Sequence, residues 1–338
     1  MKTGRVNMVR IIVYVVLALV VYSFLPMISF LFVKGAPAEE NNQAAIRELG
    51  GNKGVYFSFI VLGDNHNGMV FNDSATLKLI WQMNREDRFR KVPIDFVLDA
   101  GDVSLDGNER HFKAYKKMQA LIKYPVISAI GNHDDEKLFR EYCGEADVSF
   151  VNRNSYFILL NNSRGDPAEE RFEWFEEELK KGQSYDHIFV TLHKPPFDPY
   201  QQEWYNEDNS PWAYRFRKLC AAYGVDMVFS GHKHMFKHAE FDGVDYIVSG
   251  GGGMLIEIPE SDGGYLHYVR VMVNNDYVTY EVRKVTPPFW EILTYYMWKE
   301  LLYKFRDFYG TGYIFGRNSR ILPIREDRVN DEKYWFPE

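Results

Sequence analysis

Short apolar runs alternate with segments of helical spacing through most of the chain. The runs are rich in β-branched and aromatic residues, and they predict buried strands at 56–62, 94–98, 126–130, 155–160, 188–192 and 226–229. Between them, the spacing of apolar residues predicts helices at 75–83, 108–121, 136–142, 167–181 and 213–223. Strands that alternate with helices predict a largely parallel sheet with both faces covered.

The pattern changes near residue 244, where strands follow one another without helices. Alternation predicts strands at 244–248, 265–273 and 277–285, with Gly250 to Gly253 as a turn rather than a phosphate cradle, because no helix clearly follows. Such strands predict a second sheet of antiparallel tendency packed on the first. The predicted fold class is therefore α/β, a two-sheet sandwich flanked by helices.

The longest apolar run lies near the amino terminus, from Ile11 to Val33, and contains no charged residue. As a helix it is long enough to cross a bilayer, which needs about 20 residues. Basic residues precede the run, so we expect a single-pass anchor with its amino end in the cytoplasm and the folded domain on the extracytoplasmic side. A cleaved signal peptide, with a cleavage-like segment at 36–38, and a buried core helix are the alternatives.

These features divide the chain into four parts. We expect an amino-terminal anchor at 1–35, a polar linker at 36–54, an α/β domain at 55–286 and an aromatic-rich helix and tail at 287–338. In the last part, apolar residues recur at helical spacing over 289–309. This spacing predicts an amphipathic helix that either packs on the domain or lies on the bilayer surface.

Composition narrows the choice of function. A hydrophobic content of 46% and a charged content of 26% in 338 residues favour a packed core over global disorder. The net charge of −7 disfavours binding to nucleic acid. Cys143 and Cys220 lie in no metal-binding spacing, so we expect two buried thiols.

Polar side chains follow five of the predicted strands. The motifs are Asp64-x-His66, Gly101-Asp102, Gly131-Asn132-His133-Asp134, His193 and Gly231-His232-x-His234. Because ligands bind at the carboxyl ends of strands in open α/β sheets, we expect the motifs to meet. An extended backbone would turn both side chains of each Asp-x-His or His-x-His pair to the same side. Two such pairs with a carboxylate between them make a site for two divalent ions, for which manganese, iron and zinc suit the donor atoms.

The ordered set of motifs resembles the calcineurin-like metallophosphoesterase superfamily, from about residue 56 to residue 285. The resemblance implies one ion on Asp64, His66 and His234, a bridging Asp102, and a second ion on Asn132, His193 and His232. It also implies that a metal-bridging hydroxide attacks a phosphoester, while His133 acts as the acid that meets the leaving oxygen.

The sequence offers two candidates for the group that orients His133. Some members of the superfamily place a carboxylate three positions after the bridging aspartate, where this chain has Leu105. Asp106 and Asp134 are therefore both candidates to orient His133. Asp99 either orients ligands or caps a strand end. The remaining histidines are expected to be structural: His111, His187, His238 and His267.

The substrate stays open at this point. The motif set resembles that of phosphodiesterases, and the apolar run and the aromatic tail favour a membrane-associated phosphate, such as a lipid-linked one. The same set also occurs in monoesterases and pyrophosphatases, so phosphomonoesterase or pyrophosphatase activity is the alternative. A protein of another class, a membrane-anchored metal-binding recognition module without turnover, is the second hypothesis. The complete ligand set argues against this module, because recognition alone does not need every ligand.

Overall fold

The structure is a computed structural model of the chain. It describes residues 10–11, 13–14, 30, 32–86, 92–200, 210–254, 256 and 258–286. The chain divides into two compact units, Met1–Pro288 and Phe289–Glu338, and all of the described residues belong to the first.

Strands and helices alternate in the first half of the domain, as predicted. The strands are β1 Tyr56–Leu62, β2 Ile94–Asp99, β3 Val126–Ser128, β4 Val148–Asn152, β5 Ser155–Leu160, β6 His187–Leu192, β7 Met227–Ser230, β8 Phe236–Phe241, β9 Val244–Ser249, β10 His267–Asn274 and β11 Tyr277–Lys284. The helices are α1 Asn42–Leu49, α2 Val70–Met83, α3 Glu109–Gln119, α4 Glu136–Tyr142, α5 Glu169–Gly182 and α6 Pro211–Ala222, with a 3₁₀ turn at Glu260–Asp262.

The strands form two mixed sheets. One has the order β11-β10-β1-β2-β3, and the other has the order β4-β5-β6-β7-β9-β8. Strands β1 to β3 are parallel, as are β5, β6, β7 and β9, whereas β10, β11, β4 and β8 add antiparallel pairs. The observed architecture is thus the predicted α/β fold of two sheets flanked by helices.

An aromatic core fills the space between the sheets. Phe59 of β1 stacks on Phe96 of β2 with ring centroids 5.2 Å apart, and it meets Phe189 of the opposite sheet edge-on at 5.3 Å. All three side chains are fully buried. Because side chains alternate along a strand, the other residues of β1, such as Ile60, pack outward against helix residues that include Leu79 of α2. Burial on both faces explains why these strands are continuous apolar runs.

The late strands do not form a sheet of their own, so that part of the sequence prediction is wrong. Strand β10 pairs with β1, from Tyr56 opposite Asn274 to Val61 opposite Val269, and β9 pairs with β7. The motif-bearing strands, which the sequence placed in one sheet, are also divided between the two, with β1, β2 and β3 in one and β6 and β7 in the other.

The predicted linker at 36–54 is partly folded. It contains helix α1, in which Asn42 is buried and exchanges hydrogen bonds with the Ser128 backbone, donating to its carbonyl at 2.9 Å and accepting from its N–H at 2.8 Å. Ala45 and Leu49 of the same helix join the core between the sheets. This stretch is therefore docked on the domain rather than serving as a free tether.

The two predicted membrane-associated segments fall mainly outside the described residues. This holds for most of the apolar run at 11–33 and for all of the predicted helix at 289–309. Within the described part of the chain, no helix combines the length and the apolar character needed to cross a bilayer. Phe30, near the end of the apolar run, is buried in the cluster between the first sheet and its helices. Cys143 and Cys220 are buried free thiols, as predicted.

Candidate metal centre and active site

The five sequence motifs lie at the carboxyl ends of their strands. Asp64, Asp102 and Asn132 follow β1, β2 and β3, whereas His193 and His232 follow β6 and β7. The motifs therefore converge from two facing sheets rather than along the edge of one.

The backbone ladder between β1 and β2 continues beyond the strands into the motifs. The N–H of Asp64 donates to the Gly101 carbonyl, and the N–H of His66 donates to the Asp102 carbonyl, both at 2.9 Å. The backbone is not extended here, so strand alternation does not explain how the side chains of each pair come together: φ is 63° at Asp64, 44° at His66, 54° at Asp102 and 66° at His232. Left-handed conformations of residues other than glycine cost about 1–3 kcal/mol each and cluster at functional sites.

Two groups of potential ligands lie side by side at this convergence. One comprises Asp64, His66 and His234, and the other comprises Asp102, His193 and His232; within each group the ligand atoms lie within 4.8 Å of one another. The amide oxygen of Asn132 lies 3.1 Å from Nε2 of His193, which adds it to the second group. All seven predicted metal ligands are thus brought together.

A third grouping connects the other two. It comprises His66, Asp102 and His133, again with ligand atoms within 4.8 Å of one another. His66 belongs also to the first group and Asp102 to the second, so the third grouping links the two. The rings of His66 and His133 meet edge-on with centroids 4.6 Å apart, so the predicted acid lies beside the predicted ligands.

The donor set fits divalent cations. Both ring nitrogens of buried His66 lack a hydrogen-bond partner within the described part of the chain. Its Nε2 lies 3.8 Å from Asp64 and 3.5 Å from Asp102, at or beyond the limit of a hydrogen bond. A buried imidazole without hydrogen bonds is costly unless something else, such as a metal ion, occupies its lone pair.

His193 is oriented as a metal ligand by its second nitrogen. Nδ1 donates to the Ala100 carbonyl at 2.9 Å, so Nε2, 3.2 Å from the Asp102 carboxylate, is the nitrogen that can bind an ion. Burial opposes a charge on this imidazole, but Asp102 outweighs burial and raises the pKa of His193 to about 9. A proton therefore occupies this position at neutral pH until a metal ion displaces it.

The remaining charges of the site depend on the same carboxylates. Burial opposes ionisation of Asp102, but His193 and His66 hold the pKa of Asp102 well below its usual range. Burial also lowers the pKa of His234 to about 4. His234 is consequently neutral at pH 7, as a ligand must be.

Backbone groups fix the two ligand carboxylates. The N–H of His133 donates to Asp102 Oδ1 at 2.8 Å, and the N–H of His232 donates to both oxygens of Asp64, at 3.0 and 2.8 Å. Each carboxylate is therefore held by a motif from a different strand, and the motifs are mechanically coupled.

The structure gives His133 a different partner from the two expected carboxylates. Its Nδ1 lies 2.9 Å from the Leu105 carbonyl, to which it donates. Asp106 instead pairs with Nδ1 of His111 at 2.5 Å. Asp134 accepts hydrogen bonds from Gly131 N–H at 2.9 Å and from the Ser104 hydroxyl at 2.7 Å. Burial and the nearby Asp102 raise the pKa of Asp134 to about 6.

Asp99 and the segment from Gly250 to Gly253 contact the loop that carries Asp64 and help to fix its position. Asp99 is buried and accepts from the amide of Asn65 and, at 3.2 Å, from the Gly101 N–H, so it orients the loop that carries Asp64. Gly252 N–H donates to the Gly63 carbonyl at 2.8 Å. The glycine segment therefore packs closely on the Asp64 backbone, in keeping with the turn predicted from the sequence.

The other histidines have partners outside the ligand groups. His187 pairs with Asp226 at 3.0 Å, His238 pairs with Asp245 at 2.6 Å, and buried His267 bonds to the Tyr265 carbonyl at 2.8 Å. With His111 on Asp106, all four lie in structural positions, as predicted.

One supporting residue, Asn162, was missed in the sequence. Its buried amide oxygen accepts from the N–H groups of His193 and Lys194, both at 3.0 Å, and its Nδ2 donates to the Lys194 carbonyl at 2.8 Å. The signal was available, because Asn161 and Asn162 directly follow the end of β5, as the other polar motifs follow their strands.

Comparisons with known proteins agree with this geometry. The sequence profile of the calcineurin-like phosphoesterase family matches residues 57–236. A probable glycerophosphodiester phosphodiesterase of Arcobacter nitrofigilis is 26% identical over 119 residues, which cover 30% of this chain and 42% of that protein. The purple acid phosphatase PPD1 from yellow lupin seeds has a similar fold, with a TM-score of 0.53 at 16% identity over 69% of this chain and 52% of that one. GAP50 of Plasmodium, at 14% identity, has a TM-score of 0.48 and covers 72% and 95% of the two chains.

The match to the bacterial relative spans less than half of that protein's length, and the match to the lupin phosphatase spans about half. The family profile, in contrast, covers more than half of this chain and includes all five motifs. It ends at the start of β8, before the final strands. The chain therefore belongs to the calcineurin-like phosphoesterase family, whose members are hydrolases that act on phosphoester bonds.

Proposed function

We propose that the protein is a two-metal hydrolase that cleaves a phosphodiester presented at a membrane. The observation that carries the two-metal part is the position of Asp102, which belongs to more than one group of ligand atoms. Asp64, His66 and His234 would hold one ion, and Asn132, His193 and His232 would hold the other. Manganese, iron and zinc all suit this mixture of imidazole, carboxylate and amide donors.

When bound, a pair of divalent ions supplies the charge that acidifies a water molecule and neutralises the phosphate. The chain's own contribution is to fix the ligands, because backbone N–H groups hold Asp64 and Asp102 and the Ala100 carbonyl orients His193. Ligands held in advance need no reorganisation when the substrate binds.

His133 is the group that we assign to the leaving oxygen. It is exposed, whereas its neighbours Gly131 and Asp134 are buried, so a substrate can reach its ring. The Leu105 carbonyl accepts from Nδ1, which leaves Nε2 as the nitrogen that can hold and donate a proton. Such general acid catalysis typically contributes about 10²–10⁴-fold to the rate.

The substrate class is supported by two separate observations. The bacterial relative is described as a probable glycerophosphodiester phosphodiesterase, which favours a diester. The uncharged run from Ile11 to Val33 supports an amino-terminal anchor, with the domain on the extracytoplasmic side. A phosphodiester in a lipid headgroup is the substrate that agrees with both observations.

Hydrolysis can be tested with the full-length protein in detergent. After chelation, the protein is reloaded with manganese, iron or zinc and given bis(p-nitrophenyl) phosphate, p-nitrophenyl phosphate, inorganic pyrophosphate and a phospholipid in mixed micelles. We expect metal-dependent turnover that is fastest with the diesters. Faster turnover of the monoester or pyrophosphate would reassign the substrate class, and no hydrolysis with any ion would favour a recognition module.

The anchor needs its own test. The tagged full-length protein is expressed in a bacterium, and the membranes are washed with alkaline carbonate. We expect the protein to stay in the membrane pellet and its domain to be cut by protease added to spheroplasts. Release by carbonate, or protection from the external protease, would contradict the proposed anchoring or orientation.

A further inference from the structure

Two basic residues lie next to the motifs that carry Asn132 and His193. Arg164, in the loop after β5, donates from Nη2 to the Asp134 carbonyl at 3.3 Å, which places its guanidinium against the loop that carries Asn132 and His133. Lys194 directly follows His193 in the chain and is half-buried. Each basic residue is therefore attached to a segment that carries a ligand of the second group.

The backbones that carry these cations are fixed by one buried residue. Asn162 binds both the N–H and the carbonyl of Lys194, at 3.0 and 2.8 Å. Its own carbonyl accepts from the Gly165 N–H at 3.1 Å, which closes a tight turn with Arg164 at the third position. Gly165 has a φ of 108°, a conformation that favours glycine at the end of this turn. The two cations are thus presented by a rigid support.

Neither cation is neutralised by a carboxylate among the residues that the structure describes. The contact of Arg164 is to a neutral carbonyl, and no side-chain partner of Lys194 is found in the described ranges. Other cations in the same half of the domain are paired, such as Arg171 with Asp147 at 2.8 Å. Cations without a carboxylate partner are unexpected in a chain of net charge −7, and next to a centre that binds cations they would be repelled. A bound anion would remove this repulsion.

The centre would also gain positive charge from its ions. Two metal ions and the neighbouring cations would repel one another unless a bound anion compensated them.

We propose that Arg164 and Lys194 form a subsite for a second anionic group of the substrate, a phosphate or a carboxylate, beside the reacting phosphorus. The guanidinium has five N–H donors in a planar fork and uses one here, so a bidentate contact to such an anion remains open. This subsite rests on the proposed hydrolysis at the metal centre. It narrows the substrate class to phosphodiesters that carry additional negative charge.

The test uses two diesters with the same leaving group. One is p-nitrophenyl propyl phosphate, and the other is p-nitrophenyl 2-phosphonoethyl phosphate, which adds an anion that cannot be hydrolysed. Release of p-nitrophenolate by the full-length protein gives kcat and KM for each. We expect the native protein to prefer the anionic diester by about tenfold or more in KM, because charge-assisted hydrogen bonds are stronger than neutral ones but are screened at a half-exposed site.

Substitutions of the two cations then show whether they cause the preference. Arg164→Gln and Lys194→Met should each reduce the ratio of the two KM values several-fold, and Arg164→Lys should restore part of it. The matched control is Arg171→Gln, which removes a cation that is already paired with Asp147 and should keep the native ratio. The preference should also weaken as salt is added.

A native protein without preference for the anionic diester would overturn the subsite, as would a preference that survives both substitutions. Turnover of the propyl diester in those cases would leave the proposed hydrolysis intact. If neither ester is cleaved, the proposed hydrolysis fails, and titration calorimetry with the same two esters decides the subsite separately. Equal affinity of the native and Arg164→Gln proteins for the anionic ester would then refute it.

Discussion

Replacement of Gly131 by alanine should displace Asp102 and disable the metal centre without unfolding the domain. A Cβ atom at position 131 would lie 2.7 Å from the carboxyl carbon of Asp102, and closer still to a carboxylate oxygen and the backbone nitrogen of that residue. Carbon atoms in contact normally lie about 3.5–4.0 Å apart, so Asp102 must move by roughly 1 Å. Rotation of the side chain alone cannot relieve the contact, because the backbone nitrogen is also in the way.

The expected effects differ in size for stability and for function. Overpacking of this kind typically costs about 1–3 kcal/mol, which most domains tolerate. A displacement of about 1 Å in a catalytic group, in contrast, costs on the order of 10²-fold in rate. Because Asp102 is shared between ligand groups, we also expect fewer bound ions per chain.

The assay compares diester turnover, bound manganese per chain and the thermal midpoint in the native protein and in two variants. Gly51→Ala is the matched control, since a Cβ atom there would meet nothing within 4 Å. Gly131→Ala should lose turnover and metal while the midpoint falls by only a few degrees. Native metal content and native turnover in Gly131→Ala would refute the role given to the position of Asp102.

Three further predictions concern the acid and two structural pairs. His133→Ala should lower diester turnover about 10²–10⁴-fold while both ions stay bound, and loss of an ion would instead make His133 a ligand. Burial lowers the pKa of His187, but Asp226 outweighs burial and raises it above the ordinary value, so this pair stabilises the fold below about pH 6.5 and less as the pH rises through the folded pKa. The difference in unfolding free energy between the native protein and His187→Gln should therefore shrink from about pH 6 to about pH 9, and a constant difference would contradict this. Glu86→Ala should cost about 3–5 kcal/mol in the free energy of unfolding by urea, because it removes the carboxylate that lies 3.3 Å from the guanidinium of the fully buried Arg270, and a cost below about 1 kcal/mol would show that the pair is dispensable.

Sequence pattern predicts much of this fold because both faces of the central strands are buried. Strand β1, Tyr56–Leu62, has the same bounds as the apolar run that predicts it. The polar motif directly after this run contributes ligands to the site. The order of the motifs then predicts which residues meet. Their approach from two facing sheets is not predicted, because strand patterns do not show which strands pair: β1–β3 and β6–β7 lie in different sheets, and β10 pairs with β1 across more than two hundred positions.

Other features of the site depend on backbone groups that a sequence does not display. The left-handed conformations of Asp64 and His66 are held by hydrogen bonds to Gly101 and Asp102, which follow another strand. In the same way, the partner of His133 is the carbonyl of Leu105, a group that every residue type carries. A search for carboxylates could not have found it.

The number of divalent ions bound per chain tests the central claim most directly. Full-length protein is stripped with chelator, saturated with manganese and freed of excess metal, and its metal and protein contents are measured together with diester turnover. We predict two ions per native chain, and fewer ions with little turnover in Asp102→Asn. One ion or none in an active native protein, or two ions and full turnover in Asp102→Asn, would contradict a two-metal centre bridged by Asp102.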